Sequence, residues 1–126
     1  MITQINNKKL KQNDILRSVK LAAKVADEKK AGYIKVLDMR ARLVITDYFL
    51  IISANNPRLT KRIYEDIEKE LKSKDLYPIN VTGAGEGNWI LVDYDDFVIH
   101  ILTNDFKDYY DLERLWRDSE TIEWKE

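Results

Sequence analysis

Apolar positions between residues 14 and 32 follow a helical spacing and predict one amphipathic helix. Asp14 is a favourable N-cap residue, and Gly32 stands where a helix C-terminus is often closed. The polar residues 1–13 are expected to form a tail in front of this helix. Its apolar stripe consists of Ile15, Val19, Ala22, Ala23 and Ala26.

The pattern then changes to that of strands, with one further helix between them. A short strand is predicted from Tyr33 to near Met39, and the apolar run over residues 47–53 is typical of a covered central strand. Asn56 followed by Pro57 predicts the start of a second helix, because Asn caps helices and Pro is tolerated at the first helical position. The residues that repeat along one side of that helix are Leu59, Ile63, Ile67 and Leu71.

A hairpin follows a third strand that is expected over residues 77–82. Its two strands, residues 88–94 and 97–103, are joined at Asp95 and Asp96. Because cross-strand partners share a face, the hairpin has two chemically different sides. The core side carries Ile90, Val92, Tyr94, Phe97, Ile99 and Ile101. The mixed side carries Trp89, Leu91, Asp93, Val98, His100 and Leu102.

The remaining pattern predicts a last helix from Asp105 to about Asp118 and a short acidic tail over residues 119–126. Asp105 is the expected cap of this helix. The order of elements predicts an α/β domain of the α+β type, spanning residues 14–118, with a mixed sheet of about five strands and helices packed on it. Helices on the core side would leave the mixed side open, as is typical of a partner site. The apolar stripe of the last helix comprises Phe106, Tyr109, Leu112, Leu115 and Trp116.

Composition narrows the classes of function. The chain has 126 residues, which suits one domain, and it lacks cysteine and has a single histidine. Disulfides, thiolate metal sites, cysteine nucleophiles and sites with several histidines are therefore excluded. No apolar run approaches the length of a membrane span, and the N-terminus lacks the apolar centre of a signal peptide, so a cytoplasmic location is expected.

Charge is unevenly distributed along the chain. Residues 1–46 hold 11 Lys/Arg against 4 Asp/Glu, whereas residues 105–126 hold 4 against 8. The lysines are spaced through a helical pattern and the second half would repel phosphate, so dominant direct binding of nucleic acid is not expected. An acidic face is better suited to a basic protein partner.

Two motifs allow more than one interpretation. The glycine-rich residues 83–87 lead into a strand and not into a helix, which favours a flexible turn over a phosphate loop. Asp93, Asp95 and Asp96 resemble the paired carboxylates with which nucleotidyltransferases hold a divalent metal, but Asp is also an ordinary turn residue.

The mixed side of the hairpin offers a second pair of alternatives. His100 with Asp93 could form a general base and its orienting carboxylate, although no nucleophile accompanies them. An interface role is the simpler interpretation, because Trp89 lies on the same side and Tyr110 lies off the stripe of the last helix. Trp and Tyr are enriched among the residues that anchor protein interfaces.

Three segments resemble, in order and spacing, the signature segments of the ribosomal silencing factor family, also called the Iojap family. They are residues 47–51, residues 89–100 and residues 108–116, and the likeness extends from about Leu16 to Trp116. The chain departs from the family pattern at Asn55 and Asn56, at Thr82 and at Asp95.

The resemblance implies a sheet of nucleotidyltransferase-like topology without enzymatic activity or a cofactor. It also implies binding to the large (50S) ribosomal subunit through ribosomal protein uL14, a steric block of association with the small subunit, repression of translation under nutrient limitation, and a homodimer when free. A metal-dependent nucleotidyltransferase and an adaptor for large-subunit assembly remain as alternatives. The partner-binding residues implied by the matched motifs are Trp89, Asp93, His100, Tyr110, Asp47, Tyr94 and Glu113.

Overall fold

One mixed β-sheet organises the molecule. The computed structural model describes residues 2–42 and 45–125, with side chains from Asp14 onward among them. The strands are β1 (Tyr33–Asp38), β2 (Tyr48–Ala54), β3 (Asn80–Thr82), β4 (Trp89–Asp93), β5 (Phe97–Thr103) and β6 (Glu120–Ile122). The helices are α1 (Ile2–Glu28), α2 (Pro57–Lys72), α3 (Asn104–Tyr109) and α4 (Leu112–Leu115).

The strands lie in the order β3-β4-β5-β2-β1-β6. Strands β2 and β5 are parallel, and every other neighbouring pair is antiparallel. The prediction of a mixed sheet with helices packed on it is confirmed. The sheet has six strands and not about five, because residues 120–122 of the predicted acidic tail pair with β1.

Helices α1 and α2 cover one side of the sheet and close the main core. In α2, Ile63, Ile67 and Leu71 are buried as predicted. The Asn56 side chain accepts a hydrogen bond from the backbone N–H of Leu59, which confirms Asn56 as the cap. These contacts bury the core side of the hairpin, whose six apolar residues all belong to this core.

The predicted cap of the first helix is wrong. Helix α1 begins at Ile2, so Asp14 lies inside the helix, where its carboxylate is 3.6 Å from the Arg17 guanidinium. No Gly or Pro occurs between residues 2 and 13, so nothing in that segment stops helix propagation. Within the described ranges, no helix is both long and apolar enough to span a membrane.

The hairpin has the predicted register. Trp89 pairs with Leu102, Leu91 with His100 and Asp93 with Val98. The strand before the hairpin, β3, is shorter than the predicted residues 77–82.

Strand β3 begins at Asn80 and not at residue 77. Pro78 has no N–H to donate to a β-ladder, so strand pairing begins only after it. The first such bond runs from the Ile79 backbone N–H to the Asp93 carbonyl at 2.8 Å.

The predicted single last helix is also wrong, because two short helices occupy its place. Helix α3 is capped by the Thr103 side chain and not by Asp105. Tyr110 is the C-cap of α3, and Asp111 then adopts φ 51° and ψ 50°, a left-handed conformation that interrupts the helix. Helix α4 therefore starts in a new direction.

Candidate functional site

Five ring side chains meet on the mixed side of the sheet, and we call them the aromatic cluster: Phe49, Trp89, His100, Tyr110 and Trp116. The His100 ring centroid lies 4.8 Å from that of Phe49 and 5.4 Å from that of Trp116. The Trp89 and Tyr110 centroids are 5.6 Å apart. Edge and tilted ring contacts at these distances are favourable, so the cluster joins β2, β4 and β5 to the segment that holds α3 and α4.

His100 is the most buried member of the aromatic cluster, and it holds Trp89 through a hydrogen bond. It is only 6% exposed, and its Nδ1 accepts a hydrogen bond from the Trp89 Nε1–H at 3.2 Å. Because Nδ1 is the acceptor, the ring proton belongs on Nε2 and the imidazole is neutral. Burial lowers the pKa of His100 to about 4. His100 thus positions Trp89 and presents little surface of its own.

This buried imidazole makes stability depend on pH. The unfolded chain binds a proton at His100 near pH 6.5, whereas the folded chain does so only near pH 4, so stability is full above pH 6.5 and falls as the pH drops. We expect a loss of about 2 kcal/mol between pH 7.5 and pH 5 from this group. Urea unfolding of the wild type and of His100→Gln measures it.

The variant is a clean reference because His100 is the single histidine of the chain. Its unfolding free energy should change less over that pH interval, and the difference between the two proteins isolates His100. Equal pH dependence in both would contradict the assignment of a neutral, buried imidazole.

Asp93 lies on the same side of the sheet but serves the hairpin turn. Its Oδ1 accepts the backbone N–H of Asp95 at 2.7 Å, and Asp95 has φ 74°. His100 is paired with Leu91 across the strands and takes its hydrogen bond from Trp89, so the pairing of His100 with Asp93 as a general base is not formed. Among residues 2–42 and 45–125, no group of three or more His, Cys, Asp or Glu is arranged to hold a metal ion.

The mixed side of the sheet is not as open as predicted. A second, smaller core forms where Leu112 of α4 packs on it together with Phe106, while Leu91, Asp93 and Val98 remain half-buried. The reversal at Asp111 makes this possible, since it folds α4 back over the sheet. The buried members of the second core are Leu37, Met39, Ile51, Leu102 and Leu112.

The same reversal leaves exposed two side chains that periodicity predicts to be interior, Tyr109 and Leu115, together with Tyr110, which lies off the predicted stripe. Tyr109 is 80% exposed, Leu115 is 69% exposed and Tyr110 is 51% exposed. Three of the six large exposed hydrophobic side chains in the described part of the chain thus come from this one segment. The sequence pattern indicates an interface role for Tyr110 but not for Tyr109 or Leu115. Large apolar side chains concentrated at one place on a surface mark an interaction site.

Glu113 anchors the segment to the sheet through Lys107. The Lys107 Nζ lies 3.0 Å from Glu113 Oε1 and 4.4 Å from the centroid of the Tyr33 ring. Burial by itself lowers the pKa of Lys107, but the hydrogen bond and charge of Glu113, aided by Asp108, outweigh burial and leave the pKa raised. Lys107 therefore stays charged and holds α3, α4 and β1 together.

Two of the implied site residues lie apart from the aromatic cluster. Tyr94 is buried on the core side, where its ring stacks on Phe97 at 4.9 Å, and burial raises its pKa. Asp47 is half-buried before β2, and its backbone N–H donates to the Asp96 carbonyl at 2.8 Å. The structure thus brings Trp89, His100 and Tyr110 together but leaves Tyr94 on the opposite side.

The glycine-rich turn positions the start of β4. Gly83 and Gly87 have φ of 84° and 81°, and the Gly87 N–H donates to the Gly83 carbonyl at 2.9 Å. The Thr60 hydroxyl donates to the Gly87 carbonyl and ties the turn to α2. The backbone of Gly83 closely approaches the Trp89 carbonyl, so the turn holds Trp89 in place. This arrangement supports the interpretation of residues 83–87 as a turn over that as a phosphate loop.

Comparison with known proteins agrees on one family. Residues 12–126 match the family described as "Ribosomal silencing factor during starvation". The chain is 35% identical over 101 residues to ribosomal silencing factor RsfS of Bacillus subtilis, which covers 80% of this chain and 86% of the relative. It is 28% identical over 92 residues to "Mitochondrial assembly of ribosomal large subunit protein 1" of Mus musculus, covering 71% of this chain and 40% of the relative.

The fold is similar to a solved structure as well. A crystal structure of a Chromobacterium violaceum protein superposes with a TM-score of 0.76 at 26% sequence identity, covering 82% of this chain and 87% of that one.

Proposed function

The chain belongs to the ribosomal silencing factor family, and from this premise we propose that it binds the large ribosomal subunit through ribosomal protein uL14. Bound there, it sterically blocks association with the small subunit and so represses translation when nutrients are limited. The mechanism is occlusion, so one protein inhibits one subunit without turnover and without a cofactor.

The observation that carries this proposal is the exposed aromatic surface formed by Tyr109 and Tyr110 beside Trp89. The Tyr109 and Tyr110 ring centroids are 4.9 Å apart, and Tyr110 in turn contacts Trp89. Large aromatic side chains with one face packed and the other exposed are typical anchors of protein interfaces. His100 beneath them fixes Trp89, which limits the conformational entropy that binding costs.

The segment beside these anchors is net acidic and favours a basic partner, because residues 105–118 hold five Asp/Glu against three Lys/Arg, which pair with only part of that charge. Asp108, Asp111 and Glu113 are exposed on the segment of α3 and α4, and Asp93 lies half-buried on the same side of the sheet. A basic ribosomal protein is complementary to such a surface, and opposite charges accelerate the encounter. Asp47 adjoins the hairpin turn through its backbone hydrogen bond to Asp96, whereas Tyr94 acts only through the core.

Loss of the Asp93 charge tests the electrostatic part of the proposal. Asp93→Asn keeps the oxygen that accepts the Asp95 N–H but removes the charge, so the hairpin turn is retained. We expect about threefold to tenfold weaker binding to isolated large subunits at low salt and a smaller difference at high salt, because salt screens exposed charges. Co-sedimentation titrations measure both affinities.

The matched control is Glu70→Gln. Glu70 is exposed on α2, on the opposite side of the sheet, and its loss should leave binding unchanged. Equal weakening by both substitutions would show that only the net charge of the protein matters, which contradicts a docking surface at Asp93.

The free protein is proposed to form a homodimer through an overlapping surface. Such a homodimer would bury the exposed side chains of Tyr109, Tyr110 and Leu115. The second copy of the chain and the large ribosomal subunit would then compete for the same surface. We also infer a cytoplasmic location, since that is where the proposed ribosomal partner is found.

A role in large-subunit assembly is the second candidate. It is favoured by the name of the Mus musculus relative, which refers to assembly of the ribosomal large subunit. The same docking surface would serve an assembly adaptor, so the two candidates differ in whether the bound protein prevents subunits from joining.

A further inference from the structure

A basic groove lies on the other side of the molecule from the aromatic cluster. It has a volume of about 610 Å³ and runs between α1 and the residues that follow β6. Helix α1 packs against the main core, so the groove faces away from the side on which α3 and α4 lie. It is lined by Leu16, Arg17, Lys20, Leu21, Lys24, Trp124 and Lys125.

The lining combines four cations with one indole and contains no carboxylate. Arg17 pairs with Asp14 outside the groove at 3.6 Å. Within residues 2–42 and 45–125, Lys20, Lys24 and Lys125 take part in no ion pair. Unpaired cations on both walls of one groove attract a polyanion, because neutralising phosphates releases bound counterions.

Trp124 supplies the second recognition element. Its side chain is half-buried against the main core, which fixes the ring, and the Nζ of the exposed Lys125 lies over the ring at 5.6 Å from its centroid, so a base that stacks there would displace this ammonium toward its own phosphate. A fixed indole bordered by cations is the arrangement with which proteins hold unpaired bases, since a base stacks on the ring while its phosphates meet the charges. An acidic peptide would also satisfy the lysines, but each nucleotide of a single strand carries both a phosphate and a planar base, so RNA meets the cations and the indole together.

We propose that this groove binds a short single-stranded segment of RNA. Lys20 and Lys24 contact phosphates along α1, Trp124 stacks on a base, and Arg17 and Lys125 extend the charged wall. From residue 17 to residue 24 the helix rises about 10 Å, which suits only a few nucleotides. The contact is therefore weak and additional to docking through the aromatic cluster, in keeping with the expectation that nucleic acid is not the dominant partner.

The test uses the purified full chain and a fluorescein-labelled ten-nucleotide oligouridylate, with binding followed by fluorescence anisotropy between 50 and 200 mM salt. For three contacted phosphates, log Kd should rise with log salt with a slope of about 2. Replacing both Lys20 and Lys24 with alanine should weaken binding at least fivefold and reduce that slope by about 1.4, since about 0.7 is lost per phosphate contact.

The control replaces two exposed lysines on α2, through Lys69→Ala and Lys72→Ala, and should change the affinity less than twofold. Trp124→Leu keeps an apolar side chain against the core and should weaken oligouridylate binding at least threefold while the melting temperature reports an intact fold.

Three outcomes would overturn the proposal: no binding by the wild type at 50 mM salt, equal effects of the α1 and α2 pairs, or competition by polyglutamate as effective as that by unlabelled RNA. The last would assign the groove to an acidic protein segment. The measurement needs no ribosome, so its failure is distinguishable from failure of the proposed function, and Tyr110→Ala should bind the oligonucleotide as well as the wild type does.

Discussion

Replacing Gly83 with alanine is expected to lower the free energy of unfolding by about 3 kcal/mol. The Cβ of alanine would overlap the Trp89 carbonyl oxygen, and the φ of 84° at this position is unfavourable for a residue with a side chain. Both the clash and the strain act on backbone, so no flexible side chain can move away. Thermal unfolding should show a decrease of about 10 °C in melting temperature.

Gly85 provides the matched control within the same turn. A Cβ added there has no atom within 4 Å, and its φ is not in the left-handed range. Gly85→Ala should therefore change the free energy of unfolding by less than about 0.5 kcal/mol. If Gly83→Ala is as stable as Gly85→Ala, the turn does not approach the Trp89 carbonyl closely. The turn would then not be what holds Trp89 in position.

Removing the Tyr110 ring is expected to weaken binding to the large subunit by about 30-fold, or about 2 kcal/mol, the range of an aromatic interface anchor. Tyr110 is 51% exposed and packs on Trp89, so its truncation removes contact area from the proposed interface and little from the core. Co-sedimentation titrations with Tyr110→Ala and the wild type give the ratio of affinities.

Tyr77→Ala is the matched control, because Tyr77 is 57% exposed and lies outside the aromatic cluster. It should bind as tightly as the wild type. Circular dichroism and thermal unfolding of both variants separate lost contacts from lost folding. If Tyr77→Ala and Tyr110→Ala bind equally well, the surface beside Trp89 is not the docking surface.

The start of α2 and the register of the hairpin could be predicted because each depends on residues that are close together in the sequence. The Asn56 and Pro57 pair marks the start of α2 through local backbone chemistry. The two-residue connection at Asp95 and Asp96 sets the hairpin register, and with it the side of the sheet on which Trp89 lies.

The site was harder to predict because it depends on one backbone reversal. Helical periodicity placed Tyr109 and Leu115 inside, and this is correct only if the helix continues through residue 111. Asp111 instead adopts a left-handed conformation, which Asp tolerates better than most residues, but no Gly or Pro signals it. The burial of His100 also depends on α4 folding back over the sheet, a tertiary contact without a local sequence pattern.

In the proposed mechanism, the bound protein prevents the two ribosomal subunits from joining. The most direct measurement adds small subunits at low millimolar Mg²⁺ to large subunits preincubated with the protein, and follows joining by light scattering. We expect joining to decrease in proportion to the protein added, to reach its limit near one protein per large subunit, and to return with Tyr110→Ala. Normal joining by large subunits that carry the bound wild-type protein would contradict steric occlusion and favour the assembly adaptor.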